Sequence, residues 1–147
     1  MTKLSEHFTL EELTASQYAT RHNIDNTPSP SVLGNLYVLA TTLEAVRKLY
    51  NKPINISSGY RCPMLNKAVG GAENSAHKLG LAADFTISGI ALKDIVRDIV
   101  ASDIAFDQLI FEGTWIHLGL CTDKPQRREV LTATFTNGKA SYSQGIK

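Results

Sequence analysis

Phe106-Asp107-Gln108-Leu109-Ile110-Phe111-Glu112-Gly113-Thr114-Trp115-Ile116-His117-Leu118-Gly119-Leu120 reads as two strands, Phe106 to Glu112 and Trp115 to Leu120, joined by a two-residue turn. Glycine in the first turn position suits a type II′ hairpin. With Gly113 and Thr114 as the turn, Glu112 pairs with Trp115, Ile110 with His117 and Gln108 with Gly119. Side chains alternate between faces along a strand, so Glu112, His117 and Gln108 share one face. Asp107 points to the other side and is expected to be a solvated residue. Glu112 and His117 become diagonal neighbours, roughly 7–8 Å apart at the backbone. A slip of one residue in register would separate them onto opposite faces.

Upstream, Leu81 to Ile87 reads as a further strand, and Glu129 to Thr136 downstream as another. Pro53-Ile-Asn-Ile-Ser-Ser alternates as a strand does and stops at Gly59. Between them, Tyr60 to Gly80 holds Pro63, Gly70 and Gly71 among polar residues and is read as one long irregular loop, a length that usually carries function. His77 and Asp84 converge only if His77 lies in that loop and Asp84 in the following strand, with Gly80 supplying the bend. Small residues at Ala82 and Ala83 let this strand approach its neighbours closely.

The helices come mainly earlier. Thr9 followed by Glu12 forms a capping box that opens a short helix to about Gln17, with Phe8 and Leu13 as its hydrophobic staple. A polar stretch from Arg21 to Pro28 leads to Ser29-Pro30, a cap followed by an N1 proline. Val32, Leu33, Leu36, Leu39, Ala40, Leu43, Val46 and Leu49 then recur at helical spacing, giving one long amphipathic helix to about Tyr50. Ile90, Ile95, Ile99 and Val100 mark another from about Ala91 to Ser102. Helices first and mainly antiparallel strands later argue an α+β fold built as one pair of layers.

At 147 residues and 43% hydrophobic composition, the chain matches a single domain over 1–147 with a sizeable core. A net charge of +1 gives no electrostatic case for nucleic acid as the main partner. From Cys121 onward, Lys124, Arg127, Arg128, Lys139 and Lys147 outnumber Asp123 and Glu129. That excess is read first as a solvated surface and alternatively as attraction to an anionic wall polymer. Cys62 and Cys121 belong to no Cys-x-x-Cys motif, so free buried thiols are expected. The N-terminus lacks a signal-peptide pattern and no stretch approaches about 20 apolar residues, so the expectation is cytoplasmic synthesis, no integral membrane segment and a monomer.

His77, Asp84 and His117 are candidate metal ligands. Two imidazoles and a carboxylate suit zinc, conflict with calcium, and leave a fourth position open to water. Glu112 is the candidate base for such a water. Each residue also has a plainer reading: Asp84 as a strand-end cap, His117 as a core histidine, Glu112 as an exposed strand-end acid. His7 and His22 are read as surface or hydrogen-bonded residues.

Ser57-Ser-Gly59-Tyr-Arg61-Cys-Pro63, Asn66-x-Ala-Val-Gly-Gly71, Ser75-x-His77-x-x-Gly80-x-Ala-Ala83-Asp84, Phe106-Asp-Gln-Leu-Ile110 and Trp115-Ile-His117 together resemble the zinc D-alanyl-D-alanine carboxypeptidase family. That family includes peptidoglycan peptidases of bacteria and phages and shares its fold with the Hedgehog signalling domain. The resemblance runs from Phe8 to about Leu120. It implies zinc on His77, Asp84 and His117, and Arg61 beside the metal holding a substrate carbonyl or carboxylate and stabilising an oxyanion. It implies Ser75 positioning the substrate, with Gln108 and Trp115 bordering the cleft. A loop-anchoring ion pair for Arg61, a turn-forming role for Ser75 and core support for Trp115 are the plainer alternatives. Many family members place the catalytic acid three residues before the last histidine, where this chain has Thr114. Glu112, two residues earlier, takes that role in the hairpin reading, an arrangement that a phage-type subgroup shares.

The implied activity is zinc-dependent hydrolysis of a peptidoglycan stem-peptide bond next to a D-amino acid, by a carboxypeptidase or an endopeptidase. A phage or prophage lysin, released through a holin or carried on a particle, is the expected setting. The alternative is a metal-containing wall-binding module with little catalysis.

Overall fold

In a computed structural model that describes residues 2–146, the helical layer and the sheet meet where the apolar periodicity places them. Ser29 caps the long helix by accepting from the Val32 N–H, Pro30 takes its first position, and Asn51 ends it in left-handed geometry. This helix, α3 (Pro30–Tyr50), turns Leu36, Leu39, Ala40, Leu43 and Val46 inward. Burial of each such leucine contributes about 1.5–3 kcal/mol. Two short helices precede it. The capping box forms, with Thr9 Oγ1 accepting from the Glu12 N–H, but α1 (Leu10–Thr14) stops short of Gln17. Ala15 is extended, and Ser16 caps a separate helix, α2 (Gln17–Arg21). The second cap, not legible in the periodicity, breaks the expected single helix. Phe8 and Leu13 are both buried in the main core.

Six strands form one mixed sheet in the order β1-β2-β4-β3-β5-β6. They are β1 (Asn55–Ser58), β2 (Ala82–Thr86), β3 (Gln108–Phe111), β4 (Ile116–Gly119), β5 (Glu129–Thr136) and β6 (Lys139–Gln144). The hairpin register is the expected one: Gln108 faces Gly119, Ile110 faces His117, and the Glu112 N–H donates to the Trp115 carbonyl. Gly113 has φ +90°, as a type II′ turn requires. Alternation then sorts the side chains of the central strands. Ala83, Phe85, Leu109, Ile116 and Leu118 join the core formed with α3 and with Ile95, Val96 and Ile99 of α5 (Leu92–Ala101). Asp84, His117, Ile110 and Gln108 fall on the opposite face, which the 60–80 segment overhangs.

That segment is not a structureless loop. Cys62 caps a six-residue helix, α4 (Pro63–Ala68), by accepting from the Leu65 N–H, and Ala76–Leu79 form a 3₁₀ turn. Six residues are too few to show a helical period, and cysteine is not among the usual caps. Both cysteines are free but only half-buried. At the other end of the chain, β5 runs parallel to β3, and Asn137-Gly138, both at positive φ, turn the chain into the unanticipated β6. Such an Asn-Gly pair is a strong hairpin signal.

The connection from β4 to β5 crosses the start of β3, and Asp107 pins it there. Its carboxylate accepts from the Arg127 backbone N–H at 3.0 Å and from the guanidinium at 3.1 and 2.9 Å. Asp107 is therefore buried rather than solvated, and Arg127 holds its carboxyl below the ordinary range. Arg128 lies over the Phe106 ring. Two of the tail cations are thus engaged internally, which reduces the basic excess read from composition. Lys147 lies outside the described residues.

Gly80 supplies the bend before β2 at φ +72°. A Cβ there would stand 2.9 Å from Val32 Cγ1 and 3.1 Å from both Leu36 Cγ and the Val32 carbonyl oxygen. Gly80→Ala is expected to lower unfolding free energy by about 2–4 kcal/mol, from left-handed strain plus overpacking against α3. Denaturant titration measures it, and a loss below about 0.5 kcal/mol, the scale of an ordinary surface substitution, contradicts the packing argument.

Candidate metal centre and cleft

Direct pairing across β2 and β4 places Asp84 and His117 side by side on the face away from the helices. A bulge in β1 at Ser57, whose hydroxyl donates to the Asp84 carbonyl, lies next to them. Bulges of this kind re-aim side chains beside functional sites. His77 arrives from the 3₁₀ turn, where Ser75 Oγ caps the His77 N–H at 3.2 Å. Asp84 Oδ1 then sits 3.0 Å from His117 Nδ1 and 3.3 Å from His77 Nε2. Tetrahedral ligands at about 2.0–2.1 Å from an ion stand about 3.3 Å apart, and both separations approach that spacing.

Tautomers fit the same reading. His77 is 2% exposed, and its Nδ1 lies 2.7 Å from the Gly59 carbonyl, an acceptor that requires Nδ1 to carry the proton. Nε2 is left with its lone pair toward the cluster, the outer-sphere arrangement usual for metal-binding histidines. Gly59 must itself be glycine, because a Cβ would stand 2.3 Å from the Leu13 carbonyl oxygen. Burial works against the Asp84 charge, but the hydrogen bond with His117, with the His77 imidazole also beside it, holds its carboxyl far below the usual range. The three side chains form a group able to hold a metal ion, their ligand atoms within 4.8 Å of one another. Two nitrogens and one oxygen suit zinc.

The cluster opens into a cleft of about 660 Å³, within the range of small-molecule and peptide sites. Arg61, Ser75, Gln108, Glu112 and Trp115 all line it with the three candidate ligands, so every candidate site residue read from sequence is brought to one place. Arg61 is half-buried with one guanidinium nitrogen 3.5 Å from Ser75 Oγ, while its Nε has no protein partner. Burial pushes the guanidinium below its ordinary pKa and the Asp84 charge counteracts this. Burial raises the pKa of Glu112, with Asp84 reinforcing that shift and His117 opposing it. Glu112 Oε1 and Trp115 Nε1 are likewise buried without a protein partner. Three unmatched polar atoms thus belong to residues lining one cleft. Gln108 is less free: its amide donates to Glu129 Oε1 at 2.8 Å.

His7 and His22 stay apart from the site, as expected. His7 Nδ1 meets Glu44 at 2.7 Å, and His22 stacks on Tyr18. Sequence reasoning missed Asn26, whose amide donates to the Thr14 and Tyr60 carbonyls while its Oδ1 accepts from the Cys62 N–H. These three bonds tie the segment carrying Arg61 to the N-terminal helices, and no periodicity or motif marks the residue. Tyr142 of β6 also lines the cleft. Among the described residues, no helix is long and apolar enough to cross a membrane.

No curated protein matches the chain. The model of the Peptidase M15 family, zinc peptidases of the D-alanyl-D-alanine carboxypeptidase type, matches residues 6–119, and the chain belongs to that family.

Proposed function

We propose that the protein is a zinc-dependent peptidase acting on the stem peptide of peptidoglycan, at a bond next to a D-amino acid, in the setting of cell-wall lysis. The observation that carries the reading is the joint placement of the His77–Asp84–His117 group and Glu112 in one cleft. An acid facing the metal group supports hydrolysis over a module that only binds the wall.

In this reading His77, Asp84 and His117 hold the ion. When bound, zinc supplies a Lewis acid that lowers the pKa of water and polarises a peptide carbonyl. Glu112 accepts the proton of the attacking water and later delivers it to the leaving amine. Its raised pKa strengthens it as a base for the first half of that cycle. Arg61, a cation lining the same cleft, stabilises the carbonyl oxygen as negative charge develops there. Ser75 orients both partners: it accepts from Arg61 and fixes the turn that presents His77.

Incubation of the zinc-loaded protein with defined muropeptides, followed by mass identification of the fragments, tests the proposal. The expected result is a single new pair of stem-peptide termini. Loss of one terminal D-alanine marks a carboxypeptidase, and an internal or cross-link cut marks an endopeptidase. Intact muropeptides with zinc bound would overturn the reading.

A further inference from the structure

The family match ends at residue 119, but the cleft does not. Its wall continues onto the β5–β6 hairpin. Phe111 is level with Thr132, so the register continued by one residue brings Ala133 beside Glu112, and Ala133 pairs with Tyr142. Alternation puts these three on one face, the face of Asp84 and His117. Ala133 is small and buried, which leaves room above it for the Tyr142 ring to lean toward Glu112. Tyr142 lines the cleft while 54% exposed, so its side chain is partly packed and partly open. Burial raises the phenol pKa and the Glu112 charge raises it further, a sign that the two groups are close.

Among the described lining residues the cations are Arg61, Lys124 and Arg127. Arg127 is held by Asp107 at the start of β3, the end remote from Glu112. The Glu112 end is walled by Trp115 and Tyr142 without a Lys or Arg from the hairpin's cleft face.

We infer that Tyr142 is a specificity-determining residue that packs its ring against the uncharged part of the substrate departing with the leaving amine. The inference rests on the proposed peptidase reading: Glu112 returns its proton to that amine, so the departing portion lies on the side of the cleft where Tyr142 follows Glu112.

The test compares Tyr142→Ala and Tyr142→Phe on disaccharide tetrapeptide, disaccharide pentapeptide and cross-linked dimer muropeptides. The chain's single tryptophan, Trp115, lines the same end, so its fluorescence reports muropeptide binding even without metal. Truncating an aromatic contact of this kind is expected to raise KM and the fluorescence-detected Kd by about tenfold with kcat within about twofold. Tyr142→Phe is expected to stay within about threefold of the parent, because the ring remains. Unchanged KM and Kd in Tyr142→Ala, with the parent protein active, overturn the role of Tyr142 alone. A fall in kcat accompanied by lost zinc or lowered Tm assigns Tyr142 a structural role and also overturns it. A parent protein that neither cuts nor binds any of the three muropeptides removes the peptidase reading, and this inference with it.

Discussion

Glu112→Gln is expected to retain a full complement of zinc and to lower kcat by about 10²- to 10⁴-fold, the usual contribution of a positioned general acid–base group. The substitution is nearly isosteric, so the hairpin register and the cleft shape persist. Glu112 lies outside the His–Asp–His group, and metal content measured by atomic spectroscopy should not change. The amide cannot take a proton from water, and it cannot hand one to the leaving amine. Both halves of the proposed cycle are therefore lost together, which is why kcat rather than KM carries the effect. Muropeptide turnover by the variant at more than about a tenth of the parent rate would remove Glu112 from the mechanism, since the smallest effect expected of such a group is tenfold larger.

His77→Ala is expected to abolish both zinc binding and turnover. Loss of an outer-sphere partner costs a metal site about 10- to 100-fold in affinity, and loss of a ligand costs more. Asp84 and His117 alone would remain, two ligands where a catalytic zinc site uses three. Burial makes the change more damaging still. The imidazole is nearly inaccessible, so its removal leaves a cavity and deprives the Gly59 carbonyl of its donor. A folded variant is recognised by its far-ultraviolet dichroism, and its zinc stoichiometry should be near zero after dialysis. His22→Ala is the matched control: this imidazole stacks on Tyr18 at the surface, and its loss should leave zinc and turnover unchanged. A zinc-replete, active His77→Ala protein would dismantle the proposed ligand set.

These two residues also show how unequally the molecule is written into its chain. Glu112 was placed by local rules alone. One glycine at the turn sets the register, the register sets which side chains share a face, and no distant contact is needed to say that Glu112 and His117 look the same way. The long helix α3 was equally legible, because a serine cap, an N1 proline and five inward residues at helical spacing agree. His77 was legible only as a residue type. Its approach to Asp84 depends on a left-handed glycine packed against α3 and on a carbonyl from the end of β1.

Other parts were invisible for a related reason. Asp107 was expected to face away into solvent, yet it lines the cleft and is buried because a segment twenty residues later crosses over it. Asn26 sits in a polar stretch and has no local partner; its three bonds join pieces of chain up to thirty-six residues away. The β6 strand had a signal in Asn137-Gly138, but where it would lie relative to the cleft had none.

The sequence by itself determined the hairpin and its faces, the principal helix, the candidate ligands and the acid beside them, because periodicity, capping and turn geometry act within a few residues. Tertiary structure alone decided that His77 meets Asp84, that Asp107 becomes a buried clamp, and that Tyr142 walls the cleft. Those outcomes depend on which distant surfaces exclude water together, and a linear pattern of polar and apolar residues does not encode that pairing.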